Sequence, residues 1–119
     1  MSTDPVVIIG LARTPMGAFQ GAFSTVSAPE LGAAAIKAAM SEANIEGSDI
    51  DQVIMGCVLP AGQGQAPARQ AALGADLPLS AEATTINKMC GSGMQAAIMA
   101  HDAIKACLLY TSPSPRDRG

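Results

Sequence analysis

The sulfur of Cys90 is the group in this sequence whose surroundings best suit chemistry. The run at residues 84–86 contains β-branched residues and predicts a strand, and the periodic, alanine-rich stretch from residue 94 to about 105 predicts a helix. A side chain at this join lies beside the unpaired N–H groups and the positive dipole end of the helix, which favours a thiolate over a thiol. Gly91 and Gly93 leave room for a reactant. The pattern therefore predicts a nucleophile that attacks a carbonyl group.

Two other interpretations of this segment compete with the nucleophile. An intracellular cysteine without a partner is most often a small buried hydrophobe. The order Gly91-Ser92-Gly93, with Ala96 after it, also fits the loose dinucleotide fingerprint GxGxxG/A, whose glycines let a pyrophosphate approach a helix N-terminus. Such a module needs an acidic residue about twenty positions further on, at the end of another strand. The only candidate, Asp117, lies in a segment rich in serine, proline and arginine.

The single histidine of the chain, His101, is the obvious candidate for a base that would activate Cys90. The eleven residues of predicted helix between these two positions rise roughly 16 Å, which is well beyond hydrogen-bond reach. We therefore expect His101 to be a packed or boundary residue. The partner that would activate the sulfur is then missing from this sequence.

The elements that must position Cys90 alternate between strands and helices. Apolar or β-branched runs predict strands at residues 5–10, 52–59 and 84–86. Capping and periodicity predict helices at residues 27–43, 68–73 and 94–105. This order predicts an α/β fold with βαβ units around a mostly parallel or mixed sheet, in which reactive groups gather beyond the carboxyl ends of the strands. Cys57, inside the second predicted strand, is expected to be a core residue.

Composition narrows the class of protein. The 119 residues are 49% hydrophobic but only 3% aromatic, which favours a sheet closely covered by helices with small side chains. The net charge of −3, without any cluster of Lys or Arg, argues against a nucleic-acid surface. The sequence shows no apolar run of membrane-spanning length and no signal-peptide pattern at its start. Three cysteines do not suggest a disulfide framework, so we expect a reducing, cytoplasmic setting.

Three separated segments resemble the N-terminal part of a thiolase, an enzyme of the acetyl-CoA C-acetyltransferase type. They are RTPMG at residues 13–17, GQGQAPARQ at residues 62–70 and NKMCGSGMQA at residues 87–96. The likeness runs in collinear order from residue 5 to about 106, and three matches in order are more specific than any one of them. A fragment of a β-ketoacyl-synthase-like condensing enzyme is the alternative, because a cysteine also opens a helix there. The Cys-Gly-Ser-Gly setting favours the thiolase branch.

The resemblance implies a thiolase-like α/β fold of two similar halves, of which this chain supplies most of the first. It implies that Cys90 is the acylated nucleophile and that its backbone N–H is one donor to the thioester oxygen. Acyl-CoA and CoA are then substrates, and neither a cofactor nor a metal is expected. Members of the family are usually homodimers or homotetramers, so we predict an interface at residues 84–87 and expect no nucleic-acid or membrane partner.

The sequence departs from the family pattern at two places. Ala66 stands where the family commonly has Asn, which affects a loop or interface contact. After Lys105 the family continues into another buried strand, whereas this chain leads to Pro113 and Pro115, which cannot join a central ladder. We therefore predict a partial thiolase N-terminal domain at residues 1–106 and a non-family tail, disordered or artefactual, at residues 107–119.

The resemblance also implies that several working parts of the family lie outside these 119 residues. They are its second cysteine, its activating histidine and the segments that hold most of CoA. We hypothesise that the chain comes from a truncated or misread thiolase gene, and we expect it to be inactive by itself.

Overall fold

The computed structural model describes residues 4–109 of the chain. Its helices are α1 (Ala28–Ala43), α2 (Pro67–Gly74) and α3 (Ser92–Leu109), with a short 3₁₀ turn at Gly47–Asp49. Its strands are β1 (Gln52–Gly56) and β2 (Glu82–Ile86), which pair in parallel from Gln52 opposite Glu82 to Gly56 opposite Ile86. The predicted α/β class is confirmed, with α2 as the crossover between the two parallel strands.

Helices pack on both faces of the β1–β2 pair. On one face, α1 and α2 contact each other and enclose a core of small aliphatic side chains, namely Ala33, Val53, Ala72, Ala75 and Leu77. The two helices approach closely because Gly74 has no side chain: a Cβ at this position would lie 3.0 Å from that of Ala33. On the other face, the start of α3 packs directly on Gly56 at the end of β1.

Local signals in the sequence explain where α1 begins and ends. Ser27 precedes the helix, and its hydroxyl oxygen accepts a hydrogen bond from the backbone N–H of Glu30, as predicted. Pro29 lies in the first turn, where no helical N–H bond is lost. Asn44 ends the helix in the left-handed conformation, with φ of 56°, and its N–H reaches back to the carbonyls of the last turn.

The predicted strand at residues 5–10 is wrong, because the structure places these residues outside any strand. Val7 and Ile8 are 70% and 77% exposed. The segment passes beside α1 at Gly10, and an apolar groove of about 240 Å³, lined by Ile9 on one side and Val53 on the other, lies between it and β1. A continuous apolar run predicts burial on both faces, whereas most of this run is exposed among the described residues.

The remaining boundaries are close to the predicted ones. β1 ends at Gly56 rather than at residue 59, and Cys57 follows it in a half-buried position with its N–H bonded to the Ile86 carbonyl at 2.9 Å. α3 extends to Leu109, past the predicted end near residue 105. Most of the predicted tail, residues 110–119, lies outside the described residues. No helix in the part of the chain that the structure describes is long and apolar enough to cross a membrane.

Candidate active site

Cys90 lies in a short loop, residues 87–91, that joins β2 to α3. Its side chain is exposed to solvent. The carbonyl of Gly91 accepts the first hydrogen bond of the helix, from the N–H of Gln95 at 2.9 Å. Cys90 therefore lies immediately outside the helix N-terminus, where the helix dipole favours negative charge. This is the strand-to-helix position that the sequence predicts for it.

Ser92 closes the loop on which Cys90 lies. Its hydroxyl oxygen accepts a hydrogen bond from the N–H of Lys88 at 2.8 Å and donates one to the carbonyl of Met89 at 2.6 Å. The backbone adds parallel bonds, from the N–H of Gly91 to Lys88 and from the N–H of Ser92 to Met89, both at 3.0 Å. Ser92 is only 4% exposed, so these bonds are shielded from competing water.

Asn87 fixes the other end of the loop. Its side-chain oxygen accepts a bond from the N–H of Met89 at 2.9 Å, which forms a tight local turn. Its side-chain amide donates to the carbonyl of Val58 at 3.2 Å, just beyond the end of β1. Asn87 therefore connects the loop that carries Cys90 to the neighbouring strand.

Met89, the residue before Cys90, adopts an unusual backbone conformation. Its φ is +48°, in the left-handed region that residues other than glycine rarely occupy. Such a conformation costs about 1–2 kcal/mol for an L-residue. It persists only where the surroundings determine it, and such residues cluster at functional sites. Here the bonds from Ser92 and Asn87 hold both polar groups of the Met89 peptide.

Gly56 lets α3 begin where it does. A Cβ at this position would lie 2.6 Å from the Cβ of Ser92 and 2.8 Å from its carbonyl carbon. Any larger residue would have to push the helix start away from the sheet. The end of β1 thus determines how closely Ser92 approaches the sheet, and the Cys90 loop follows Ser92.

Gly91 and Gly93 flank the sulfur as predicted. A Cβ at Gly93 would meet no atom within 4 Å, and one at Gly91 would meet the Lys88 carbonyl at 3.4 Å. The space above the helix start is therefore open to a reactant. The same openness would suit a pyrophosphate, and the candidate acid of the dinucleotide alternative, Asp117, lies outside the described residues.

His101 binds carboxylates rather than Cys90. Its Nε2 lies 2.6 Å from a carboxylate oxygen of Asp4, and its Nδ1 lies 3.1 Å from one of Asp102. These bonds raise the pKa of His101, the Asp4 contact having the larger effect, and the His101 contact lowers the pKa of Asp4. His101 is partly exposed and is a boundary residue, as expected. The base for Cys90 does not come from this side chain.

Polar residues of the middle motif organise the neighbouring loops, which sequence reasoning missed. Arg69 donates to the carbonyls of Ala81 at 2.7 Å and Leu79 at 3.1 Å, and so ties α2 to the turn before β2. Gln70 donates to the carbonyls of Gln63 and Gln65, at 2.6 and 2.7 Å. The sequence shows only that Arg69 and Gln70 are adjacent near the start of a short helix. It does not show which backbone carbonyls accept their hydrogen bonds.

One further long-range bond connects β2 with α2. The hydroxyl oxygen of Thr85 accepts from the N–H of Ala68 at 2.9 Å, in the first turn of α2. The part of the chain that the structure describes holds no group of three or more His, Cys, Asp or Glu side chains arranged for a metal ion.

Comparison with known proteins identifies the family. The model of the thiolase N-terminal domain matches residues 6–108. The chain belongs to the thiolase family. The match includes the Cys90 loop, Ser92, Asn87 and Gly56, so all the contacts described around the sulfur lie within the thiolase domain. It gives the dinucleotide alternative no support.

Individual thiolase relatives show the same similarity. The chain is 52% identical over 103 residues to the mitochondrial acetyl-CoA acetyltransferase of Danio rerio, covering 87% of this chain and 24% of that protein. It is 52% identical over 101 residues to the acetyl-CoA acetyltransferase of Cupriavidus necator, covering 85% and 26%. The chain thus spans about a quarter of the length of these relatives.

Solved thiolase structures share the fold. The Acat5 thiolase of Ascaris suum, solved in complex with coenzyme A, superposes with a TM-score of 0.82 at 38% identity, covering 83% of this chain and 26% of that one. The acetyl-CoA acetyltransferase of Syntrophomonas wolfei gives a TM-score of 0.77 at 34% identity, with coverages of 82% and 25%. The thiolase-like fold expected from the sequence is confirmed for the part that this chain supplies.

Proposed function

We propose that the full-length protein carrying this chain is a thiolase-type acyltransferase and that Cys90 is its acylated nucleophile. The observation that carries the proposal is the position of the sulfur: exposed, ahead of a helix N-terminus and on a loop whose neighbouring polar groups are bonded. The names of the relatives, acetyl-CoA acetyltransferases, support the reaction class. The Ascaris suum thiolase, solved in complex with coenzyme A, supports acyl-CoA and CoA as substrates.

The proposed reaction proceeds in two transfers. The Cys90 thiolate adds to the carbonyl of an acyl-CoA, the carbon–sulfur bond to CoA breaks, and CoA leaves and takes up a proton. In synthesis, a second acyl-CoA loses a proton beside its carbonyl, and the carbanion attacks the acyl-cysteine and releases the thiolate. In degradation, the Cys90 thiolate adds to the 3-keto carbonyl of a 3-ketoacyl-CoA, the bond between carbons 2 and 3 breaks, and acetyl-CoA leaves as a carbanion that takes up a proton. The thiol of free CoA then loses its proton, attacks the acyl-cysteine and releases the Cys90 thiolate. Two easier steps replace one difficult step.

The chain's own contribution is to hold the sulfur and the first part of the oxyanion site. We propose that the N–H of Cys90 donates to the thioester oxygen, ahead of the N-terminus of α3, where the dipole also favours developing negative charge. The open space beside Gly93 gives the thioester its approach. We propose that the acid and base groups come from the part of the parent protein outside these 119 residues, since the single histidine of the chain binds Asp4 and Asp102 instead of Cys90. We therefore expect the isolated chain to be inactive.

The same reasoning extends the domain prediction. We propose that residues 1–106 are a partial thiolase domain and that the family pattern is lost at residues 107–119. The coverage of about a quarter of each relative supports a longer parent protein. Sequencing the flanking nucleotides tests this proposal: we expect an open reading frame that continues the thiolase pattern. An independently confirmed stop codon after Gly119 would contradict it.

Assembly and compartment are also proposals. We propose that the parent protein is a homodimer or homotetramer that pairs near residues 84–87, since the outer edge of β2 has no partner strand within residues 4–109. Sedimentation of the parent protein and of a variant with charged residues at this edge tests the interface. The relatives include mitochondrial and bacterial proteins. We propose the cytoplasm as the compartment of the parent protein.

Isotope exchange tests the proposed function. The full-length protein is mixed with acetyl-CoA and isotopically labelled CoA, and we expect the label to enter acetyl-CoA, because an acyl-cysteine forms and reverses. Cys90→Ala abolishes the exchange, whereas Cys57→Ala, which removes a cysteine next to the same sheet, retains it. Exchange that survives Cys90→Ala would exclude Cys90 as the nucleophile.

A further inference from the structure

A buried polar group, the hydroxyl of Ser92, lies at the start of α3, directly after the Cys90 loop. Ser92 is the one buried polar side chain among the described residues, at 4% exposure, and its hydroxyl makes two short hydrogen bonds, to the N–H of Lys88 and the carbonyl of Met89. Both partners belong to the two residues that precede Cys90. A serine that only capped α3 would bond to N–H groups within the helix. This hydroxyl instead bonds backward, to the turn that carries the sulfur.

The two bonds act on a conformation that does not form readily without support. Met89 has φ of +48°, and its exposed side chain, 67% accessible, makes little packing contact that could hold it there. The free energy that offsets this backbone strain must therefore come from hydrogen bonds to the peptide groups of the turn. Ser92 supplies two of them, and Asn87 supplies one to the N–H of Met89.

The position of Ser92 is itself fixed from the sheet. Gly56 lies so close that a Cβ there would be 2.6 Å from the Cβ of Ser92. The Ser92 side chain thus lies between the end of β1 and the turn. The position of the sheet therefore determines the position of the peptide before Cys90. A small displacement of this peptide moves the sulfur relative to the site of the thioester carbonyl.

We infer that Ser92 is a positioning residue for the acyl-transfer step: its hydroxyl holds the left-handed turn at Met89 that orients the Cys90 sulfur and N–H toward the thioester. This inference rests on the proposed function. It assigns Ser92 no contact with substrate and no proton transfer. Its effect falls on the rate of acylation rather than on the affinity for acyl-CoA, because orientation of reacting groups contributes to the barrier and a shift of about 1 Å can cost about a hundredfold.

The test compares two reactions of the same sulfur in the full-length protein. Acylation of Cys90 by acetyl-CoA is followed by rapid quenching and mass spectrometry, and alkylation of Cys90 by iodoacetamide is followed in parallel. For Ser92→Ala we expect acylation to slow by about ten- to a hundredfold, with the half-saturating acetyl-CoA concentration and the alkylation rate nearly unchanged, because iodoacetamide needs no oriented oxyanion donor. Ser80→Ala, at an exposed serine in another turn, is the matched control.

Substitutions at Met89 keep the inference testable if Ser92→Ala does not fold. Valine disfavours a positive φ, and glycine adopts it freely. Met89→Val should therefore slow acylation although the Ser92 hydroxyl is intact, whereas Met89→Gly in the Ser92→Ala background should recover part of the lost rate. A role of Ser92 that did not act through this turn would show no recovery in the double variant.

The outcomes separate the inference from the proposed function. If the unsubstituted protein forms no acyl adduct on Cys90, the proposed function fails and the role of Ser92 in it fails too. If the adduct forms but Ser92→Ala acylates at the unsubstituted rate, or slows equally toward iodoacetamide and acetyl-CoA, the inference is overturned while the proposed function stands. Acylation by Met89→Val at the unsubstituted rate would likewise overturn it.

Discussion

At the scale of single residues, the candidate site combines an exposed sulfur with a backbone that several hydrogen bonds hold in place. Cys90 is exposed, while the peptide groups of Lys88 and Met89 before it are held by Ser92 and Asn87. The type of the reactive residue and its flanking glycines are visible in the sequence. The bonds that hold it are not, because Ser92 and Gly56 come together only when α3 packs on β1.

The contact between Gly56 and Ser92 leads to a prediction for Gly56→Ala. The added methyl group would lie 2.6 Å from the Ser92 Cβ, so the helix start must move. We expect the free energy of unfolding to fall by about 1–3 kcal/mol, as in other overpacked sites, and acylation of Cys90 to slow with it. Denaturant unfolding of the full-length protein measures the first effect. Unchanged stability would show that α3 begins elsewhere.

Gly93 offers a matched substitution with the opposite effect on stability. It lies in the first turn of α3, where a Cβ would meet no atom within 4 Å. Gly93→Ala should raise the free energy of unfolding by up to about 1 kcal/mol, because alanine loses less backbone entropy in a helix. If the thioester approaches over this residue, acylation should slow although the protein is more stable. Faster acylation would place the approach on another side of the loop.

At the scale of elements, the strands and helices near the site follow from local patterns, and the first segment does not. β1, β2 and the three helices have periodicity and caps that predict them closely. The run at residues 5–10 has the pattern of a buried strand, yet the structure leaves it unpaired within residues 4–109. A continuous apolar run predicts a strand that other elements cover on both faces. The residues that cover it can lie elsewhere in the protein, so the run alone does not show where they are.

Thr85 connects two elements beneath the site, and its removal should be measurable. Its hydroxyl oxygen accepts from the N–H of Ala68 at 2.9 Å, at the start of α2. Thr85→Val keeps the shape and leaves this N–H without its acceptor, so we expect a loss of about 1 kcal/mol in the free energy of unfolding. Thr85→Ser, which keeps the hydroxyl, should lose less. Equal losses for the two variants would attribute the effect to packing.

The contact of His101 with Asp4 joins the N-terminal segment to α3 and should depend on pH. The His101 pKa is raised, so its contribution is complete below the ordinary value of 6.5 and is lost as the pH rises through the raised value. The Asp4 pKa is lowered, so its contribution is present above the ordinary value of 3.8 and is lost as the pH falls through the lowered value. The pair therefore stabilises most at mildly acidic pH.

Hydrogen exchange of residues 4–10 as a function of pH measures this contact. We expect His101→Gln to speed exchange, relative to the unsubstituted protein, at mildly acidic pH, and the difference to disappear as the pH rises above the raised pKa. Asp4→Asn should have the same effect, and the double variant should add little to either. A difference that stays constant across this range would show that the contact is not an ion pair.

At the scale of the whole molecule, the described residues leave apolar side chains and strand edges uncovered. Large apolar side chains are exposed between residues 7 and 19, with Val7 at 70% and Phe19 at 93%. The two-stranded sheet leaves edges without partners within residues 4–109. Exposed apolar patches and unpaired strand edges drive association. The chain spans about a quarter of the length of its thiolase relatives.

The isolated chain should therefore associate in solution. We expect residues 1–119, expressed alone, to sediment as species larger than a monomer whose size increases with protein concentration. Charged substitutions at two exposed positions, such as Val7→Glu with Ile8→Lys, should reduce the association. A monomer that unfolds in a single cooperative transition would contradict the view that this chain is an incomplete thiolase unit.

The account as a whole depends on Cys90 carrying an acyl group. Mass spectrometry of the full-length protein after brief incubation with acetyl-CoA, followed by acid quenching and proteolysis, tests this most directly. The account predicts one labile acetyl adduct, located on the peptide that contains Cys90 and removed by added CoA. An unmodified Cys90 peptide, or an adduct on another residue that added CoA removes at the catalytic rate, would contradict it.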